Sequence, residues 1–440
     1  MKKEKQVDAG LRQFIKDLGY VTGGAALLGT VPWLQSFTPD KLNEIKKEKA
    51  RIGLIGTGSR GQYHIHNLLG MQHAEIVALC DDYEPNLKTA LELCPNAKTY
   101  ADYKKLLESK DIDGVIVATP LNWHAVITLD ALSAGKHVFC EKAMALTMEE
   151  CKAVYEAYQQ SDRVLYFCMQ RMFDEKYIKG IQLIASGLIG EVVGARCHWF
   201  RNNDWSRPVP SPELKRRINW RLYRESSCGL MTELACHQLE VCNLVTKRIP
   251  ESVVGMGDIV HWKDDREVYD SVSLTYRYKN GVKITYESLI ANMFNGMEDQ
   301  ILGSKGTMNL ASGMYYLENE VGANSAIEQL LAQIGDKIFS AIPAAGASWR
   351  PETKKAYQPH PIIKGSFSVS DGMSMIGADK DGSDEMLSSF CQACITGEKG
   401  KDIVEEAYSA STLCLIGDQA MREQCRVEYP EEYKIPYMEF

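Results

Sequence analysis

No cluster of lysine and arginine runs through this 440-residue chain, whose net charge is −8. A surface that grips a nucleic-acid backbone needs such a cluster, so nucleic acid is not expected as a partner. Beyond residue 49 there is no apolar run long enough to cross a bilayer, and stable membrane insertion is not expected either. Internal repeats are absent, which excludes solenoids and propellers. So is a regular cysteine framework: the 13 cysteines are scattered between Cys80 and Cys425. A chain this long needs no disulfide staples, and these thiols read as buried and free. The one close pair, Cys391 and Cys394, lies where Met386, Leu387, Phe390 and Ile395 also recur at helical spacing. Zinc would need a second pair at matching spacing, none is evident, and no metal is expected.

What is present is ordinary for a globular chain: 45% hydrophobic and 25% charged residues. The length allows two domains, each with its own core. Residues 1–49 differ from the rest. Lys2, Lys3 and Lys5 open the chain, and no charge occurs between Asp17 and Asp40. A basic start followed by an apolar stretch has the form of an export leader, which would place the protein in an extracytoplasmic (periplasmic) space. Residues 11–16, LRQFIK, resemble a twin-arginine signal except at the first arginine. A retained cytoplasmic protein is the alternative.

From residue 50 the pattern alternates. The short apolar runs RIGLI, IVALC, GVIVA, KHVFC and LYFCM read as buried strands, and helix-like stretches lie between them, notably at 103–107, 123–134 and 147–159. Strands alternating with helices imply βαβ units and a parallel, doubly wound sheet over residues 50–171. After Arg171 the texture changes. Segment 192–201 reads as a long strand. Segments 271–278 and 282–290 alternate around Asn280-Gly281, a strong hairpin signal. Residues 172–440 are therefore expected to form an α+β domain with a mostly antiparallel sheet. An insertion is expected at about 315–381, with one helix-like piece at 327–339.

Gly56-Thr57-Gly58-Ser59-Arg60-Gly61 follows the first strand and opens a helix. In that context the glycines permit a tight turn and let the backbone approach a pyrophosphate, which the helix N-terminus attracts. Asp81 closes the second strand, twenty positions past Gly61. A carboxylate there accepts the ribose hydroxyls of NAD and would repel the extra phosphate of NADP. Asp82 and Tyr83, next in sequence, supply no arginine for that phosphate. NAD is thus the expected cofactor, rather than NADP, on a Rossmann-type domain.

Thr119-Pro120-Leu121-Asn122-Trp123-His124 and Gly135-Lys136-His137-Val138-Phe139-Cys140-Glu141-Lys142 resemble the glucose–fructose oxidoreductase / inositol dehydrogenase / rhizopine-catabolism family, Gfo/Idh/MocA. The resemblance is good over residues 50–310 and looser beyond. It implies an N-terminal Rossmann domain, a C-terminal domain with a large open-faced sheet, and NAD(P)-dependent chemistry on sugars, polyols or related alcohols. An open sheet face needs covering, which predicts a homodimer or homotetramer. It places Lys142, followed here by Ala143 instead of proline, beside the nicotinamide and the reacting hydroxyl. It puts Glu141 near the nicotinamide ribose and Thr119, Pro120, Asn122 and His124 on the cofactor side. Met169-Gln170-Arg171 resembles the hinge after the first domain. Gly229 to His237, GLMTELACH, resembles the motif that carries an acid and a histidine four apart, with Glu233 in place of aspartate. That spacing puts both on one helical face.

These residues suggest an NAD-dependent oxidoreductase. His237 would remove a hydroxyl proton, Lys142 would stabilise the developing alkoxide, and Glu233 would orient the pair. Arg201, Asn203, Asp204, Trp205, Arg221 and Tyr223 mix aromatic faces with polar groups, as sugar recognition requires. Two alternatives stay open: a glycoside hydrolase that retains its NAD and uses transient oxidation and elimination, and a non-catalytic sugar- or cofactor-binding protein.

Overall fold

The computed structural model describes residues 49–318, 360–361 and 381–436. The leader-like segment and the helix-like piece at 327–339 lie outside the described residues. Six strands form the first sheet: β1 (Ala50–Ile55), β2 (Ala74–Cys80), β3 (Lys98–Tyr100), β4 (Gly114–Val117), β5 (His137–Cys140) and β6 (Leu165–Phe167). Their order is β3-β2-β1-β4-β5-β6, and every pairing is parallel. β4 and β5 are buried throughout, as strands covered by helices on both faces must be. The chain switches direction between β1 and β4, which opens a crevice at the carboxyl ends of those strands. Thr147 and Glu150 close a reciprocal capping box on the Met148–Gln160 helix, and such a cap stabilises a helix by about 1 kcal/mol. β3 and the Glu84–Leu93 helix are not apparent in the sequence, because both are short and largely exposed.

The second sheet has nine strands: β7 (Val192–Phe200), β8 (Ser252–Asp258), β9 (Ser271–Arg277), β10 (Lys283–Leu289), β11 (Met297–Gly303), β12 (Gly306–Asn309), β13 (Met314–Leu317), β14 (His360–Pro361) and β15 (Val427–Glu428). Their order is β14-β13-β12-β11-β7-β10-β9-β8-β15. Only β7 and β10 pair in parallel. The predicted hairpin joins β9 to β10, with Gly281 at φ 86° in its turn. Val272, Leu274 and Tyr276 alternate inward from β9. They meet the Ile403–Glu423 helix, where the Tyr276 hydroxyl donates to Leu413 O at 3.0 Å. The other face, with Ser273, Lys283 and Glu287, is open.

Two contacts lie at these boundaries. The insertion expected from residue 315 begins inside β13, because Met314–Leu317 pairs with β12 and extends the sheet. Residues 172–440 also do not form a separate body. The Ser383–Thr396 helix packs on the first sheet: Phe390 meets Phe139 edge-on at 5.6 Å, and the Tyr166 and Ser389 hydroxyls are 3.1 Å apart. Cys391 and Cys394 are buried free thiols on this helix, and Cys394 packs over Gly114. Its apolar face is thus explained by core packing.

Candidate active site

Both domains contribute to a cleft of about 1610 Å³ that runs from Gly56 to His237. At its first end lies the glycine turn. Gly56 has φ 90°, and a side chain there would collide with Ala118 O. A Cβ on Gly61 would lie 2.1 Å from Gly56 O, so the Ser59–Leu69 helix can seat on the turn only with glycine there. Gly58 is open instead, with nothing nearer than 3.6 Å to a Cβ, and it caps the helix without a side-chain hydrogen bond. The first-turn N–H groups therefore face the cleft without a side-chain cap. Asp81 ends β2 with its carboxylate fixed: Oδ2 accepts from Thr57 N at 2.8 Å and Oδ1 from Tyr83 N at 2.8 Å.

Arg60 does not face a phosphate as a free charge. Its Nε donates to Glu141 Oε1 at 2.6 Å, and His64 Nε2 lies 2.7 Å from the same oxygen. Burial pushes the Glu141 pKa up, but Arg60 and His64 outweigh it and hold the carboxyl well below the usual range. Glu141 lines the cleft as the centre of this ionic cluster. His124 is also a brace: Nδ1 lies 2.8 Å from Ala143 O and Nε2 3.1 Å from Thr119 O. It fixes the turn that carries Lys142. Met144 N donates to Ser411 Oγ at 2.8 Å, tying that turn to the Ile403–Glu423 helix.

At the other end Lys142 Nζ donates to Glu233 O at 2.8 Å and Thr232 O at 3.2 Å. Those carbonyls belong to a π-helical turn, Met231–Ala235, which leads into the Cys236–Thr246 helix carrying His237. Such turns free backbone oxygens and often mark functional sites. His237 is buried; burial first, then Lys142 and Arg171, hold its pKa well below the usual imidazole value. It is therefore neutral and can accept a proton. Next to it, Gln238 Nε2 donates to Asp299, which also receives Arg171 at 2.9 Å and the Tyr177 hydroxyl at 2.7 Å. This buried network fixes the helix register. Glu233 does not hold His237 and Lys142 through its carboxylate. Its Oε2 accepts from Arg221 Nε at 2.8 Å, and its Oε1 lies 3.5 Å from Ser227 Oγ. Burial raises the Glu233 pKa, but Lys142 and Arg221 reverse the shift, so it stays ionised.

Of the proposed sugar contacts, Arg201, Asn203, Trp205 and Arg221 line the cleft. Asp204 and Tyr223 do not: Asp204 caps Ser206 N, and Tyr223 is buried with its hydroxyl on Asp265. Sequence reasoning missed Trp199 and Trp220, which line the cleft beneath Arg201 at 4.7 Å and Arg221 at 4.2 Å. It also missed Arg217. That residue pairs with Asp82 and lies over the Tyr83 ring, so an arginine does reach the ribose end, from 135 positions away. Its charge is held by Asp82.

The donor set fits a dinucleotide. Gly58 leaves room for close approach, and Thr119 Oγ1, Asn122 Oδ1 and His237 Nδ1 are buried without a hydrogen-bond partner among the described residues. All three residues line the cleft. Buried polar atoms without partners are rare in folded proteins and call for a ligand or ordered water.

A parallel sheet with a glycine turn at its switch point, joined to an open mixed sheet, defines a two-domain dinucleotide-binding protein. Residues 50–168 match the oxidoreductase family with an NAD-binding Rossmann fold, and residues 177–309 match the GFO/IDH/MocA C-terminal domain. The chain belongs to the Gfo/Idh/MocA family. An alpha-N-acetylgalactosaminidase of Shewanella oneidensis is 28% identical over 188 residues, 40% of each chain. A glycosyl hydrolase family 109 protein of Shewanella baltica is 26% identical over 232 residues, 48% of this chain and 50% of that one. The chain thus spans half or less of the length of these curated relatives. Among solved structures, a levoglucosan dehydrogenase in complex with NADH and levoglucosan superposes with a TM-score of 0.64 at 18% identity. A myo-inositol 2-dehydrogenase of Lactobacillus plantarum does so with 0.63 at 16%. Each alignment covers 87% of this chain and all of the other. At these identities the likeness establishes the fold.

Proposed function

We propose that the protein is an NAD-dependent oxidoreductase acting on a carbinol carbon of a sugar or polyol. One observation carries this reading: a buried, neutral His237 and the Lys142 ammonium line the same cleft as a dinucleotide cradle. The cradle would be formed by the turn at Gly56–Gly61, Asp81, Thr119 and Asn122, and a bound nicotinamide would supply the hydride acceptor. His237 takes the hydroxyl proton as general base. Lys142, held by the carbonyls of Thr232 and Glu233, places positive charge beside the developing alkoxide. Lys142 and Arg221 keep Glu233 ionised, and that carboxylate adds negative charge near the ammonium. Trp199 and Trp220 add aromatic surface to the cleft, with the Arg201 and Arg221 guanidiniums lying over their rings. NAD rather than NADP is favoured by the Asp81 carboxylate and by the neutralisation of Arg217.

The glycosidase reading is supported by relatives that carry glycosidase names, and a redox cycle closed within the site would need a retained cofactor. The deciding experiment uses purified protein with no cofactor added, which is denatured and assayed for nicotinamide. Near-stoichiometric release, with aryl-glycoside cleavage and no NADH build-up, selects the glycosidase. An empty protein that reduces NAD with a polyol or sugar selects the dehydrogenase. Failure of both to bind or turn over rejects an enzymatic role. A homodimer or homotetramer closing the open sheet is proposed as well, and a monomer by light scattering would refute it. Export by the leader is tested by cell fractionation.

A further inference from the structure

Six arginines line the cleft, and four are matched by carboxylates: Arg60 by Glu141, Arg216 by Glu225 and Glu267, Arg217 by Asp82, and Arg221 by Glu233. Arg201 lies over Trp199 at the catalytic end. Arg207 is different. Like Arg201 it has no carboxylate partner among the described residues, but its Nη2 donates to Ser59 Oγ at 3.1 Å, at the glycine turn. Ser59 is the first residue of the helix whose N-terminus Gly58 leaves open. Arg207 is exposed, and partial burial first, then the nearby Arg221, lower its pKa.

Its placement is built. Arg207 N donates to Asn219 Oδ1 at 2.6 Å, and Asn219 Nδ2 donates back to Arg207 O at 3.1 Å. Asn219 is 3% exposed. This pair staples the segment from 201 to 222, which crosses from the second domain over the glycine turn of the first. An unmatched guanidinium fixed over an open helix N-terminus is a site for a doubly charged anion.

We propose that Arg207 is a pyrophosphate clamp for the dinucleotide, contributed by the substrate domain. The inference rests on the reading of the cleft as a dinucleotide site. It adds that cofactor release requires the 201–222 segment to lift, because the clamp residue travels with it. Cofactor exchange is therefore slower with the clamp in place than without it.

The test compares apo wild type with Arg207→Ala, Arg207→Lys and Arg217→Ala, titrating NADH, ADP and adenosine and following NADH release by stopped flow. Removing one charge-assisted contact should weaken NADH and ADP by about tenfold to a hundredfold and speed NADH release. Adenosine, which has no phosphate, should bind Arg207→Ala as it binds wild type, and Arg207→Lys should recover part of the loss. The apo unfolding midpoint should not move. Arg217→Ala should leave the ADP-over-adenosine preference unchanged. Wild-type NADH affinity and release rate in Arg207→Ala would overturn the clamp alone. Equal losses for adenosine and ADP would also overturn it, pointing to collapse of the segment. No NADH binding by wild type would overturn the dinucleotide reading itself.

Discussion

Gly58 and Gly61 belong to one motif but carry different constraints, and two alanine substitutions separate them. Gly58 has φ −65°, which any residue adopts, and a Cβ there would meet nothing closer than 3.6 Å. Gly58→Ala should therefore leave the empty fold intact and stabilise it by about 0.4–1 kcal/mol through the unfolded chain. The new methyl, however, stands where a pyrophosphate must approach the backbone. NADH affinity should fall by about 1.4–3 kcal/mol, tenfold to somewhat over a hundredfold. Gly61→Ala reverses the pattern. In an ordinary helix interior it would gain about 0.8–1 kcal/mol. Here the Cβ would lie 2.1 Å from Gly56 O and 3.3 Å from the Leu54 side chain. The helix must move off the turn, and so close a backbone contact puts the overpacking cost at the upper end of about 1–3 kcal/mol, so the apo fold should be less stable by about 2 kcal/mol. Urea unfolding of the apo protein reads the first quantity and fluorescence titration with NADH the second. Wild-type NADH affinity in Gly58→Ala would show that the pyrophosphate does not pass over this turn. An undiminished unfolding free energy in Gly61→Ala would show that the helix is not seated on Gly56.

His237→Gln should lower kcat by about 10²–10⁴ with NADH binding retained, and the acid limb of the wild-type kcat/KM profile should lie below the ordinary imidazole value of about 6.5; a limb above it would contradict the burial of a neutral base. Stability should respond in the same direction. His64, His124 and His237 have depressed pKa values when folded, so the unfolded chain binds protons first and unfolding free energy falls as pH drops below about 6.5, by up to about 1.4 kcal/mol per pH unit per histidine. Denaturant titrations at pH 7.5 and 5.5 measure this, and a flat profile would refute it. Asp299→Ala leaves Arg171 buried without its counter-charge and should cost about 3–5 kcal/mol, read by urea unfolding; a loss under 1 kcal/mol would mean water reaches the pair. Lys142→Met should abolish turnover while NADH still binds, and detectable wild-type turnover in that variant would remove Lys142 from the chemistry.

The first domain was legible because its signals are local: buried strands read as apolar runs, and the glycine turn and Asp81 stand at fixed offsets. Lys142 and His237 were found by resemblance to motifs, and the structure brings both to one cleft. Partners were not legible. Nothing near Glu233 in a helical pattern announces that Arg221 ties its carboxylate, and Arg207 reaches Ser59 across 148 positions of sequence. Arg217 escaped for the same reason, since the argument from Asp82 and Tyr83 considered only neighbours along the chain. Periodicity over residues 386–395 does show that one helical face is buried. It does not reveal that this face rests on the first sheet, because the hydrophobic effect has no direction.

That last contact sets the order in which the protein can be completed. The Ser383–Thr396 helix supplies Phe390 and Cys394 to a sheet whose final strand, β6, ends at Phe167. On a ribosome the missing helix emerges roughly two hundred residues after that strand, a wait on the order of ten to forty seconds. The nascent first domain spends that interval with an uncovered apolar face. It becomes whole only after Thr396 has been made, so a product cut short before that helix cannot hold a complete nucleotide-binding domain.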